Sequence, residues 1–178
     1  MKKEFTKEYI LKNKGCYETE QIEALSFINQ ESIKIEDIIG SEMPLKDKGR
    51  FLVRKCELTT KEKAELAYEL ASVVLPIFEA KRPGDNRVKE CLEAIQQFNL
   101  GKITRRQLMI KRHDAAAGAG AGTDAAAYAA AAATAGADAA ATGTYDATDA
   151  TAYATYAADA AAYQPLIIQA MLQFVKNH

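Results

Sequence analysis

Apolar residues in the first two thirds of the chain recur in short blocks at helical spacing, and no block shows the strict alternation with turn pairs that marks β-hairpins. Ile22, Leu25 and Ile28 share one side of a helix that Thr19 can cap. The shorter stretch Ile35-Glu36-Asp37-Ile38-Ile39 stops at Gly40, a natural residue just past a helix end. Phe51, Leu52, Lys55 and Cys56 predict a further short helix after Met43-Pro44. Thr59 and Glu62 then stand three apart as a capping box, opening the clearest helix of the chain. Its apolar stripe is Leu66, Leu70, Val73, Val74, Ile77 and Phe78, with Glu62, Lys63, Glu65 and Glu69 left largely for solvent and a kink expected at Pro76. Arg82-Pro83-Gly84 must end it. Asp85 can cap the next helix, which carries Val88, Cys91, Leu92, Ile95 and Phe98 and stops at Gly101, and Thr104 with Gln107 caps the one after.

At Asp114 the alphabet changes. The fifty residues from there to Tyr163 use five amino-acid types, 27 Ala, 7 Thr, 6 Asp, 5 Gly and 5 Tyr. Alanine has the best helix propensity, but its methyl group buries little area, so helices are expected here without a conventional core. One straight helix of this length would reach about 75 Å, too long for a compact domain, so the run must fold back. The expected breaks are Gly118 to Gly122 and Thr142-Gly143-Thr144. Pro165 starts a last helix, LIIQAMLQFV, whose large apolar groups should return to the core. The resulting expectation is an all-α compact helical bundle forming a single domain over residues 1–178. Short capped helices of residues 1–113 pack against the Ala-rich helices of 114–163, and 164–178 form a C-terminal amphipathic helix.

Length and charge narrow the function classes. A chain of 178 residues with 48% apolar content can bury a sizeable core, and its net charge of -1 excludes a whole-chain polycation. The charge is divided, however: residues 1–113 hold 22 basic and 18 acidic groups, and residues 114–178 one basic and six acidic. No run of large apolar residues is long enough for a membrane span, and the N-terminus MKKEFTKEYILKNKG has no apolar signal core, so a cytoplasmic protein is expected. Cys16, Cys56 and Cys91 are widely spaced without a Cys-x-x-Cys pair, and there are two histidines, His113 and His178. Neither a disulfide framework nor a zinc site fits, so the thiols read as buried and no metal or cofactor is called for.

Several motifs admit a chemical reading. Gly120-Ala121-Gly122-Thr123-Asp124-Ala125 has the formal spacing of a dinucleotide fingerprint, but a helical pattern precedes it where a strand is required. Nine basic residues lie between Lys81 and Arg112 against three acidic ones, and Arg87, Lys102, Arg105, Arg106 and Arg112 are the residues a nucleic acid would meet. Only Phe98 interleaves them, at a core position, so a solvated face partly neutralised by the acidic half is the plainer reading. Asp146 and Asp149 share a helical face without completing a catalytic set, and His113 suits a surface or capping role. Thr123 with Thr134, and Thr144 with Thr155, stand eleven apart, a spacing that resembles helical ice-binding proteins. The strongest candidate is a Tyr/Asp face made by Tyr128, Tyr145, Tyr153, Tyr156 and Tyr163 with Asp146, Asp149 and Asp159, because tyrosine offers large amphipathic contact area with few rotatable bonds. The same rings are the only bulky groups of this half, so a core role stands beside the binding role.

Between Val74 and Thr104 the chain resembles a known group. Val74-Leu75-Pro76-Ile77-Phe78-Glu79, then Pro83-Gly84-Asp85-Asn86-Arg87, Lys89-Glu90-Cys91-Leu92-Glu93-Ala94 and the Gly101-Lys102-Ile103-Thr104 turn, followed by an Ala-rich tail with repeated Tyr and Asp, are similar to a bacterial and phage family of immunity proteins, the immunity-five-like group. The resemblance spans about residues 14 to 163. It implies an all-α protein of the antitoxin kind, without catalytic residues, that binds and blocks a toxin or, in a phage, a host defence protein. A self-assembling helical protein whose Ala faces dock between copies is the structural alternative, and a nucleic-acid-binding protein the basic one.

Overall fold

The structure is a computed structural model that describes residues 1–13, 17–119, 124–142, 146–160 and 163–178, without the side chains of residues 119, 146, 159 and 160. Among the described residues the chain forms ten helices and one small sheet. Strand β1 (Glu4–Phe5) pairs antiparallel with β2 (Ile33–Lys34), Glu4 opposite Lys34 and Phe5 opposite Ile33. Helices α1 (Lys7–Lys12), α2 (Thr19–Glu23), α3 (Ile35–Gly40) and α4 (Leu45–Lys55) make up the N-terminal part. They are followed by α5 (Thr60–Lys81), α6 (Arg87–Asn99), α7 (Arg105–Ala119), α8 (Ala125–Thr142), α9 (Asp146–Ala160) and α10 (Gln164–Asn177). The all-α expectation holds, with the two-residue pairing as its one departure. Two residues per strand are too few to show alternation, so nothing in the sequence pattern could reveal them.

Helix ends follow local chemistry. Thr59 Oγ1 accepts from the Glu62 amide at 3.3 Å while the Thr59 amide donates to Glu62 Oε2 at 2.6 Å, completing the capping box of α5. Thr104 and Gln107 repeat the arrangement at the start of α7. Gly84 and Gly101 take left-handed φ values of 84° and 69° after α5 and α6, a conformation that costs a residue with a Cβ. Asp85 Oδ1 accepts the Arg87 amide at 3.2 Å, although Asn86 is the residue at the cap position of α6. Two ends differ from the sequence reading. Glu18 rather than Thr19 caps α2, its amide bound to Gln21 Oε1 at 2.8 Å, and α2 ends at Glu23, before Leu25 and Ile28. Ser41 rather than Gly40 follows α3.

The core has one unusual centre. Helix α8 buries ten residues, nine Ala and Gly136, and packs against α5, α9, α7 and α6. Large groups come from its neighbours: Leu66, Leu70, Val74 and Phe78 on α5 and Val88, Cys91 and Ile95 on α6 are all fully buried. Val73, expected in the α5 stripe, is half-buried. Glu62, Lys63, Glu65 and Glu69 are half-buried too, because both chain ends lie across that side of α5. The N-terminal ammonium stands 3.8 Å from Glu62, and His178 Nε2 3.4 Å from Glu65. Helix α5 runs through Pro76, which sits on its exposed side.

Helix α7 continues through Gly118 to Ala119, so Gly118 is no break, and α8 begins at Ala125; residues 120–122 of the first expected break lie outside the described residues. Helix α8 runs through Thr142 and α9 begins at Asp146; Gly143 and Thr144 of the second expected break lie outside the described residues. Helix α10 carries Pro165 in its first turn and returns Ile167, Met171, Phe174 and Val175 to the core, as its composition predicts. On α9 the inner face is alanine and threonine. Thr148, Thr151 and Thr155 are buried, and the Thr151 and Thr155 hydroxyls donate at 2.8 Å to their own helix at the Ala147 and Ala152 carbonyls, leaving the methyl groups for packing.

Helices α4 and α9 approach closely at Gly49. A Cβ placed on Gly49 would lie 2.2 Å from Thr151 Cγ2 and 3.2 Å from Met171 Cε, and the branched, fully buried threonine has no room to turn away. Gly49→Ala is therefore expected to destabilise the fold by about 1–3 kcal/mol in chemical denaturation. Adding Thr151→Ser, which removes Cγ2, should recover most of the loss. Equal stability of the wild type and Gly49→Ala would show that α4 and α9 are not packed this closely.

Candidate functional site

The outer edge of α9 is built by the same spacing that buries its inner one. Ala147, Ala150, Ala154 and Ala157 face the core, and Asp149, Tyr153 and Tyr156, at i, i+4 and i+7, share the opposite side. Tyr153 and Tyr156 are 36% and 37% exposed. Tyr128, near the start of α8, meets both rings: its centroid lies 6.4 Å from that of Tyr153, nearly parallel at 21°, and 5.4 Å from that of Tyr156, tilted at 44°. These separations are those of attractive ring pairs, so the three side chains are held in one orientation before any partner arrives. Asp124, beside Tyr128, caps α8 by accepting the Ala127 amide at 2.8 Å and is exposed.

Of the residues read from sequence as a contact face, Tyr128, Tyr153, Tyr156 and Asp149 thus lie together. Tyr163 is half-buried at the cap position of α10, where its carbonyl accepts the Ile167 amide at 3.2 Å. Tyr145 lies outside the described residues, and so do the side chains of Asp146 and Asp159. The electrostatics are one-sided: residues 114–175 contain six Asp and no Lys or Arg. The patch is aromatic and acidic.

Part of the basic stretch is committed within the fold, through Arg87, Lys111 and Arg112. Arg87 forks onto Asp85, with Nε and Nη2 at 2.9 and 2.6 Å from its two oxygens, which raises the Arg87 pKa and lowers that of Asp85. Lys111 donates to Glu90 at 2.7 Å, and that bond raises its pKa. Arg112 binds both oxygens of Asp138 on α8, at 3.1, 3.0 and 2.8 Å, joining the basic half of the chain to the acidic one. Lys102, Arg105 and Arg106 are exposed around the start of α7. His113 is exposed, and Asp114 beside it is half-buried.

The remaining motifs carry little chemistry. Gly120 to Thr123 lie outside the described residues, and the element before them is helix α7 rather than a strand. Thr155 is fully buried and Thr134 half-buried, so these two members of the eleven-residue pairs cannot meet an ice lattice; Thr123 and Thr144 lie outside the described residues. Among the described residues no group of three His, Cys, Asp or Glu could hold a metal ion, and no helix is long and apolar enough to cross a membrane. Cys16 lies outside the described residues. Burial pushes the Cys56 and Cys91 thiols up to about 12. They are fully buried, and the Cys91 Sγ contacts the Ala133 carbonyl of α8 at 3.7 Å.

With this geometry in view, a family model described as "Imm-5 like putative immunity protein" matches residues 56–176. The chain belongs to this family. The match takes in α5 through α9 and nearly all of α10, so the tyrosine cluster falls inside it and α1 to α4 essentially outside. The resemblance read from sequence placed the shared region some forty residues too early and ended it before α10. No curated protein and no solved structure matches the chain. Within this Imm-5-like chain the family assignment names no catalytic residue, and the two buried thiols are poor nucleophiles at neutral pH.

Iodoacetamide at pH 8 should leave Cys56 and Cys91 unmodified in the native protein and alkylate both once denaturant is added, as read by peptide mass mapping. Rapid native modification of either would contradict the burial described here.

Proposed function

We propose that this immunity-family protein is a non-catalytic inhibitor that binds and neutralises a toxin or a defence protein through the tyrosine face of α8 and α9. The observation that carries this reading is the exposed pair Tyr153 and Tyr156 beside Asp149, with the half-buried Tyr128 ring set against both. Interfaces draw most of their energy from a few aromatic anchors, and rings already fixed by one another lose little freedom on binding. Family membership supports a toxin as the target class. The acid-only composition of residues 114–175 further suits a target with a cationic face, whose association would be steered by charge.

The pairing of Arg87 and Arg112 with carboxylates leaves less of the basic stretch for phosphate, which weighs against nucleic acid as the target. The test starts from the tagged protein in host lysate after nuclease treatment, with captured proteins identified by mass spectrometry and then purified. A single near-stoichiometric toxic or defence enzyme, inhibited on binding, is the expected outcome. Tyr153→Ala with Tyr156→Ala should weaken that complex by at least about tenfold, with helical circular dichroism unchanged because both rings are over a third exposed. Unchanged affinity in the folded double variant would remove this face from the interface. Retention of nucleic acid alone, with steep salt dependence, would replace the inhibitor reading.

A further inference from the structure

The part of the chain outside the family match lines a half-open pocket of about 510 Å³ among α1, α2, α3 and α4. Its floor is apolar. Ile10, Ile22, Phe27 and Ile38 are buried beneath it, and Met43 and Phe51 are half-buried along its side. Its rim is cationic. Lys46, Arg50 and Arg54 stand at i, i+4 and i+8 along α4, so they form one row beside the opening, and Lys55 adds a fourth charge.

Among the described residues Asp47 is the one carboxylate in the lining, and it is already engaged. It accepts the Tyr17 hydroxyl at 2.6 Å and lies 3.7 Å from Arg50. Lys55 is steered by a 2.8 Å bond to Asn13 Oδ1, and the Asn13 amide is anchored in turn to the Tyr9 carbonyl at 2.8 Å. Tyr17, Asp47, Asn13 and Lys55 are therefore held in place by these contacts. The volume falls within the range of small-molecule sites, about 300–1,000 Å³, which likewise pair an apolar body with a few placed polar groups.

We propose that this cavity binds a small amphipathic anion, its apolar body against Phe27, Met43 and Phe51 and its acid group at the cation row of α4. The sign of the ligand follows from the surplus of cations over carboxylates among the described lining residues, and its size from the volume of the pocket. This site is separate from the tyrosine face and does not depend on the inhibitor reading.

The test uses the full-length protein and 8-anilinonaphthalene-1-sulfonate, an aromatic body with one acid group, followed by competition. Saturable fluorescence at one equivalent, displaced by decanoate but not by decyltrimethylammonium, is expected. Lys46→Glu with Arg50→Glu should weaken it by at least about tenfold, since like charge at the rim would then oppose the acid group. Because that double variant removes the Arg50 contact to Asp47, Lys46→Gln alone and methyl NMR of the wild type give a second reading. The Met43 and Ile22 methyl signals should move on titration. Equal displacement by the cation, unchanged affinity in the folded variants, or shifts confined to other methyl groups would overturn the proposal.

Discussion

Every helix packed around α8 depends on the buried side chains of α8 being no larger than a methyl group. A helix of alanine can lie near the lower limit of interaxial separation, about 8 Å, against several neighbours at once. Each methyl gains little by itself, so the stabilisation is spread over many contacts, with Phe78, Ile95, Leu66 and Leu70 supplying volume from outside. Larger residues at Ala129, Ala130, Ala132 or Ala133, all fully buried, would force α5 or α9 away. The low-complexity alphabet is thus what a central helix with neighbours on most sides requires.

The same restriction explains where the tyrosines stand. Since α9 must also present a narrow face to α8, α5 and α4, its inner positions are Ala and methyl-bearing Thr, and its rings have room only on the outer edge. The half-buried Tyr128 joins them from α8, making an aromatic group whose orientation is set by the packing below. Charge follows the same division. Arg112 crosses to Asp138 and fixes α7 against α8, while the outer surface of the Ala-rich part keeps acidic groups without basic ones.

Much of this was legible in the sequence, for reasons that can be named. Capping boxes at Thr59 and Thr104 and glycines at 84 and 101 act over three or four residues, so their chemistry is local and their consequences appear directly as helix ends. The pairing of β1 with β2 joins residues some thirty apart and leaves no periodic trace. The tyrosines were ambiguous because spacing on a single helix cannot say which side a neighbour covers. The Thr148, Thr151, Thr155 series, spaced as an inner stripe, was the available signal for the orientation of α9. The cation row beside the N-terminal cavity was legible as spacing along α4, but its apolar floor is assembled from four separate elements.

The account rests on α8 being the structural centre rather than a loosely held low-complexity segment. Hydrogen–deuterium exchange of the free protein, resolved by peptide, measures this directly. Peptides from residues 125–142 should exchange as slowly as those from α5, at the rate of global unfolding. Exchange of α8 at the rate of the chain ends, with α5 still protected, would contradict it.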